Sequence, residues 1–196
     1  MGKDNSIKIH KTALFRKGKI IVKGKKNKLV IQKNCRLKKV RIEILGNNNR
    51  VEISKSVLFY EGSWLCIEGD DCTIQIGAET TIGQANIFCG ESKTYIKIGR
   101  DCMFSRDINM NTSDFHSIVE KESGKRINPA NSITIGNHVW VGNGVSIMKG
   151  ARIGSNSVIA SKALVGGKTY GNNLILAGLP AKVIKENINW TREKLP

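Results

Sequence analysis

From residue 135 to 170 an aliphatic side chain recurs every sixth residue, at Ile135, Val141, Ile147, Ile153, Ile159 and Val165. Four residues after each stands a second small or β-branched residue: Val139, Val145, Ala151, Ser157, Ala163 and Thr169. A helix repeats about every 3.6 residues and a strand every 2, so a period of six fits neither. It fits a triangular coil. Each hexad makes one short flat face and one corner, and three hexads close a turn of about 18 residues. The leading aliphatics then stack on their counterparts one turn above and below, forming the interior of a parallel β-helix.

The frame extends backwards. Hexads of similar type begin at Ile31, Ile53, Ile76 and Ile98, followed by Ile135, with steps of 22, 23, 22 and 37 residues. Second hexads are expected at Phe59, Ile82 and Phe104, and third hexads at Leu65, Phe88 and Met110. In the turn from Ile31, Leu37 fits the frame and Glu43 does not. The surplus over 18 falls late in each turn, around Gly46-Asn47-Asn48-Asn49, Gly69-Asp70-Asp71 and Gly90-Glu91-Ser92, where Gly, Asn and Asp tolerate tight corner geometry. The step of 37 is the same corner with an insertion over 111–131. A long insertion in a regular solenoid is usually functional. The expected organisation is a basic N-terminal segment and first coil (1–30), a β-helix (31–181) and a short C-terminal helical tail (182–196).

Charge alters this picture at one end. Residues 1–60 hold 17 Lys and Arg against three acidic residues, a net +14, whereas residues 61–196 hold a net +2. Two readings stand. The lysines protect the open end of the β-helix against end-to-end stacking, or they form a field that attracts a polyanion such as an acidic polysaccharide or an anionic membrane surface. No aromatic-rich motif or groove-entering helix pattern points to nucleic acid. Five cysteines without paired spacing argue against a disulfide framework, and the N-terminus lacks a secretory apolar stretch, so a cytoplasmic setting is expected. Cys35 and Cys102, at the fifth hexad position, are expected to face inward.

The candidate chemistry centres on the insertion. Of three histidines, His10 precedes the clear repeats, His138 occupies an outward corner position, and His116 sits in the insertion beside Asp114 and Phe115. The elements Asp114-x-His116-x-Ile118, Gly124-Lys125-Arg126-Ile127-Asn128, Val139-Trp140-Val141-Gly142 and Ala177-Gly178-Leu179-Pro180-Ala181-Lys182 together resemble the O-acetyltransferase branch of the hexapeptide-repeat acyltransferases. The resemblance covers roughly residues 53–187. It implies an all-β, left-handed parallel β-helix, acetyl-CoA as co-substrate, and a homotrimer with active sites between chains. It further implies that His116 is the general base, that Trp140 lies near cofactor or acceptor, and that the Asn143 amide, after Gly142, serves the oxyanion. Ser161 would line the pantetheine arm, and Lys168, Lys182 and Lys185 would lie near the phosphates and nucleotide. Lys168 is displaced by one position from the family's Thr-Lys, and Phe115 replaces a glycine common in relatives. Asp114 is expected either to orient the imidazole or to cap the loop turn, and Asp114, Phe115 and His116 to meet the acceptor.

The required chemistry is modest. A sugar hydroxyl becomes an adequate nucleophile when a histidine removes its proton during attack on a thioester, and a backbone N–H on a rigid coil can stabilise the oxyanion. The sequence is similar to polysialic acid and capsule O-acetyltransferases, which with the charge implies an acidic glycan acceptor. Antibiotic or small-sugar acetyl transfer on the same fold is the alternative enzyme reading, and a polyanion-binding solenoid the non-enzymatic one. A γ-type carbonic anhydrase needs three zinc-binding histidines; His116 and His138 have no suitably placed third, so no metal is expected.

Overall fold

A computed structural model describes residues 2–196. Their strands form three parallel sheets, the faces of a triangular prism. Face 1 stacks eight strands from Ser6–Ile9 onwards, face 2 eight from Leu14–Arg16 plus one antiparallel strand, and face 3 seven from Lys19–Lys23. Seven full turns and part of an eighth make a left-handed parallel β-helix.

The hexad positions form the interior. On face 1, Ile31, Ile53, Ile76, Ile98, Ile135 and Ile153 stack in register. On face 2, Leu37, Phe59, Ile82, Phe104, Val141, Ile159 and Leu176 do the same. None of these is more than 3% exposed. Burial of each such side chain contributes about 1.5–3 kcal/mol. Cys35 and Cys102 are buried at the corner between faces 1 and 2, and all five cysteines are free.

Face 3 departs from the hexad count. Its inward column is Ile20, Ile42, Leu65, Ile87, Met110, Ile147 and Val165. Ile87, not Phe88, therefore leads the third hexad of its turn, and Phe88 points outward against Trp64 with ring centroids 4.5 Å apart. Likewise Ile42 takes the place that Glu43 cannot fill; Glu43 faces outward and pairs with Arg41 at 2.7 Å. The reason is strand length. Arg41–Leu45 and Trp64–Glu68 are long enough to turn two side chains inward and Ala85–Gly90 three, so the two-residue alternation of an extended strand governs.

These longer strands and the corners after them hold the surplus of the 22- and 23-residue turns. Gly46 has φ +124°, and a Cβ there would lie 2.0 Å from the Gly69 carbonyl oxygen of the next coil. Beside it runs an asparagine ladder. The Asn27 side chain donates to Gly46 O and accepts from Asn49 N–H; the Asn49 side chain donates to Gly69 O and accepts from Cys72 N–H.

The expected C-terminal helix is absent. Ala181–Lys185 is a strand that folds back antiparallel on Ile175–Gly178, with Gly178 in the left-handed region at the turn. The segment covers the exposed edge of face 2, and that pairing outweighs the small helical preference of so short a stretch. Beyond it the tail returns along the prism. The Trp190 ring stacks on His138 at 4.1 Å, its Nε1 donates to His138 O, and Arg192 reaches Asp101 and Thr81. No helix of the described chain is long and apolar enough to cross a membrane.

Candidate active site

The insertion leaves the fifth coil after Ile108–Asn111, at the corner between faces 3 and 1, and returns at Ile133–Ile135. Its base closes where Asn131 N–H donates to Thr112 O at 2.9 Å, with Thr112 fully buried. Its outer half is a small hairpin: Ile127 N–H donates to Ile118 O, Glu120 N–H to Lys125 O, and Val119 pairs with Arg126. The insertion is thus an arm with internal order.

Two ionic clamps fix the arm to the coils. The Arg126 guanidinium binds the Glu91 carboxylate through two 2.7 Å hydrogen bonds, and the Ser113 hydroxyl donates to the same carboxylate. Arg126 and then Ser113 pull the Glu91 pKa down to about 2. The Lys149 ammonium donates to Asp114 Oδ2 at 2.5 Å and to Asn128 O at 3.0 Å. Lys149, followed by Asn128, holds the Asp114 carboxyl below its ordinary value. Asn128, nearly buried, ties the clamps together: its amide donates to Asp114 Oδ2 at 2.8 Å and His116 O at 2.9 Å, and its Oδ1 accepts from Ile118 N–H.

His116 stands at the focus of this network. Its N–H donates to Asp114 O at 2.8 Å and its carbonyl accepts from Asn128, while the imidazole is exposed and has no hydrogen-bond partner among the described residues. Of the two roles expected for Asp114, its carboxylate contacts match the one within the loop: it accepts from Lys149 and Asn128 and makes no hydrogen bond to the imidazole among the described residues. Phe115 adopts φ +62°, a left-handed conformation that favours glycine, and its ring packs edge-on against Phe88 at 6.0 Å. Behind the arm lies a cleft of about 390 Å³ lined by Asp114, Ile127, Asn128, Pro129, Lys149 and Gly167, among others.

The remaining candidates lie elsewhere on the prism. Trp140 is on the outer surface of face 2, between Met103 and Val158, 40% exposed and 6.0 Å from the Trp190 ring. Gly142 and Asn143 follow at the corner between faces 2 and 3, with Ser161 one coil later. A Cβ on Gly142 would lie 2.6 Å from Ser161 N, so glycine lets these coils approach. The Asn143 N–H makes no hydrogen bond among the described residues, while its carbonyl accepts from Lys162 N–H. Lys168 is exposed at the corner between faces 3 and 1, and Lys182 and Lys185 lie on the returning strand of face 2. One chain thus brings Asp114, Phe115 and His116 together at one corner and Trp140, Gly142, Asn143 and Ser161 along another, with face 3 between them. Lys149 and Glu91 had no place in the sequence-based site; both occupy the corner on which the arm sits.

Such a coiled prism with an inserted histidine arm defines a class. Residues 132–167 match the bacterial transferase hexapeptide model of six repeats, and with the full-length likenesses that follow, the chain belongs to the hexapeptide-repeat acyltransferase family. It superimposes on the polysialic acid O-acetyltransferase OatWY with a TM-score of 0.86 at 34% identity, covering 100% of this chain and 93% of that one. On the polysialic acid-specific acetyltransferase NeuO the TM-score is 0.76 at 32% identity, covering 98% and 87%. The chain is 40% identical over 129 residues to the polysialic acid O-acetyltransferase of Neisseria meningitidis, covering 66% of this chain and 60% of that protein. It is 45% identical over 117 residues to the Escherichia coli O1:K1 / APEC polysialic acid O-acetyltransferase, covering 60% and 38%. The matched segments thus span less than two thirds of both relatives.

Proposed function

We propose that the protein transfers an acetyl group from acetyl-CoA to a hydroxyl of polysialic acid. The observation that carries this reading is the full-length likeness to OatWY, combined with a bare imidazole held on a doubly clamped arm. In the reaction, His116 accepts the hydroxyl proton as the oxygen attacks the thioester carbonyl. The Asn143 N–H stabilises the resulting oxyanion. Collapse expels the coenzyme A thiolate, which takes the proton from His116, leaving an acetyl ester and free thiol. Gly142 and Ser161 would flank the thioester arm, Lys168, Lys182 and Lys185 would receive the phosphates, and Trp140 would supply a flat apolar wall.

His116 and the Trp140–Asn143 edge occupy separate corners of one prism, which supports a homotrimer with each site shared between neighbouring copies. Mixing His116→Ala with Trp140→Ala chains tests this: random assembly restores intact residues at about a quarter of shared sites, whereas sites within one chain recover nothing. Free buried cysteines and the need for acetyl-CoA support a cytoplasmic location, and the basic first coils suit an anionic glycan or membrane surface. The deciding experiment is incubation with acetyl-CoA and polysialic acid, reading thiol release and mapping the acetylated oxygen. Release that does not depend on the polymer contradicts the proposal.

A further inference from the structure

A cleft of about 590 Å³ lies on the outer surface of face 2 in the first three coils, bounded by Leu14, Arg16, Arg36, Lys38, Leu58 and Tyr60. Register sets its pattern. Leu14, Arg36 and Leu58 stand in line across three neighbouring strands, and Arg16 pairs with Lys38 two residues further along. Adjacent strands are about 4.8 Å apart, so Arg36 lies between two leucines. Among the described residues, Arg16 and Arg36 have no carboxylate partner, and Lys38 has only a 3.8 Å contact with the exposed Glu61. Tyr60 is 55% exposed and Leu14 42% exposed, both set within the chain's most basic region.

Free guanidinium groups interleaved with exposed apolar side chains differ from a merely solvated basic face. A guanidinium fork takes a carboxylate through two hydrogen bonds, which a diffuse lysine field does not reproduce. Leucine and tyrosine surfaces beside it suit the methyl of an acetamido group or the apolar face of a sugar ring. We propose that this cleft is a second binding site for the acidic glycan, seating a sugar carboxylate on Arg16 and Arg36 and its N-acyl group on Leu14, Leu58 and Tyr60. The proposal rests on the polysialic acid reading, since every unit of that polymer carries both groups. The cleft is three coils from the His116 arm, about 15 Å along the prism axis. A chain held here raises the effective concentration of its other units near the arm, an advantage that short acceptors lack.

The test uses the full-length protein and four variants: Arg16→Ala/Arg36→Ala, Arg16→Lys/Arg36→Lys, Tyr60→Ala and a control on face 1, away from both the cleft and the arm, Lys97→Ala. Direct titration with polysialic acid, without acetyl-CoA, should show affinity reduced ~10-fold in the alanine pair and ~3–10-fold in the lysine pair, which keeps the charge. Tyr60→Ala should weaken the polymer ~3-fold or more, and Lys97→Ala should match the native protein. In turnover assays the polymer KM should rise in parallel, while kcat/KM for a sialic acid dimer and the KM for acetyl-CoA stay within about twofold. Unchanged polymer affinity in the alanine pair overturns the proposal. So does a lysine pair that loses polyglutamate binding equally, which would reveal a general anion effect, or a changed sedimentation mass, which would make the cleft a contact between copies. If the native protein acetylates no polysialic acid, the functional reading falls, and the titration still decides whether the cleft binds the polymer.

Discussion

Lys149→Met removes the ammonium that pins the histidine arm while keeping an apolar stem over the coil. Lys149 makes two charge-assisted contacts, 2.5 Å to Asp114 Oδ2 and 3.0 Å to Asn128 O, with the Lys149 and Asp114 side chains 22% and 30% exposed. Hydrogen bonds to charged groups contribute about 1.5–3 kcal/mol, and partial solvent screening moves this pair to the low end. A loss of about 1.5–2 kcal/mol, confined to the arm, shifts its closed-to-open ratio by about 10–30-fold. Hydrogen exchange at the Ile118 and Ile127 amides should accelerate by that factor, because both depend on the arm's internal bonds. Because the loosened arm also misplaces the imidazole within its closed state, turnover should fall about tenfold, with KM for acetyl-CoA little changed. The thermal midpoint should move by only about 2–4 °C, since the coils below are intact. Pairing the change with Asp114→Asn closes a double-mutant cycle, and the two effects should be clearly less than additive. Unchanged exchange and full turnover in Lys149→Met would refute the clamp, as would strict additivity.

Three further outcomes follow from the same geometry. The Glu91 pKa lies at about 2 against an ordinary 4.5, so its ion pair with Arg126 contributes fully above about pH 4.5 and is lost as pH falls towards 2; exchange protection of the arm should decline over that window, less steeply in Glu91→Gln. Asn49→Ala orphans Cys72 N–H and Gly69 O at a buried corner, costing about 2–4 kcal/mol and lowering the thermal midpoint by about 6–12 °C; a shift below 2 °C would show that water replaces the ladder. Because surface charges are screened beyond about 8–10 Å, the KM for polysialic acid should rise steeply with salt while that for acetyl-CoA rises less, and equal slopes would leave the basic coils as end protection only.

The interior was legible in the sequence because stacked columns admit little variation: Ile135 to Val165 count off the prism one face at a time. Face 3 was legible only to within one residue, since its longer strands obey a two-residue alternation that places Ile87 rather than Phe88 inside. The tail was misread because Ala181–Lys185, taken alone, carries nothing that reveals the open sheet edge it covers. In the site, His116, Arg126 and Asn128 stood within one recognisable segment. Lys149 and Glu91 did not, since each lies in an ordinary-looking corner, 35 residues after and 22 residues before its partner or neighbour in the arm. Aligning corners coil by coil would have brought them together, because Glu91, Ser113 and Lys149 follow one another along a single edge of the prism.

His116→Ala, assayed with acetyl-CoA and polysialic acid beside the native protein, bears on the whole chemical reading. Native protein should release one thiol per acetyl ester formed, and the variant should turn over ~10²–10⁴-fold more slowly with fold and coenzyme affinity intact. Near-native turnover by the variant would contradict the assignment of His116 as the base.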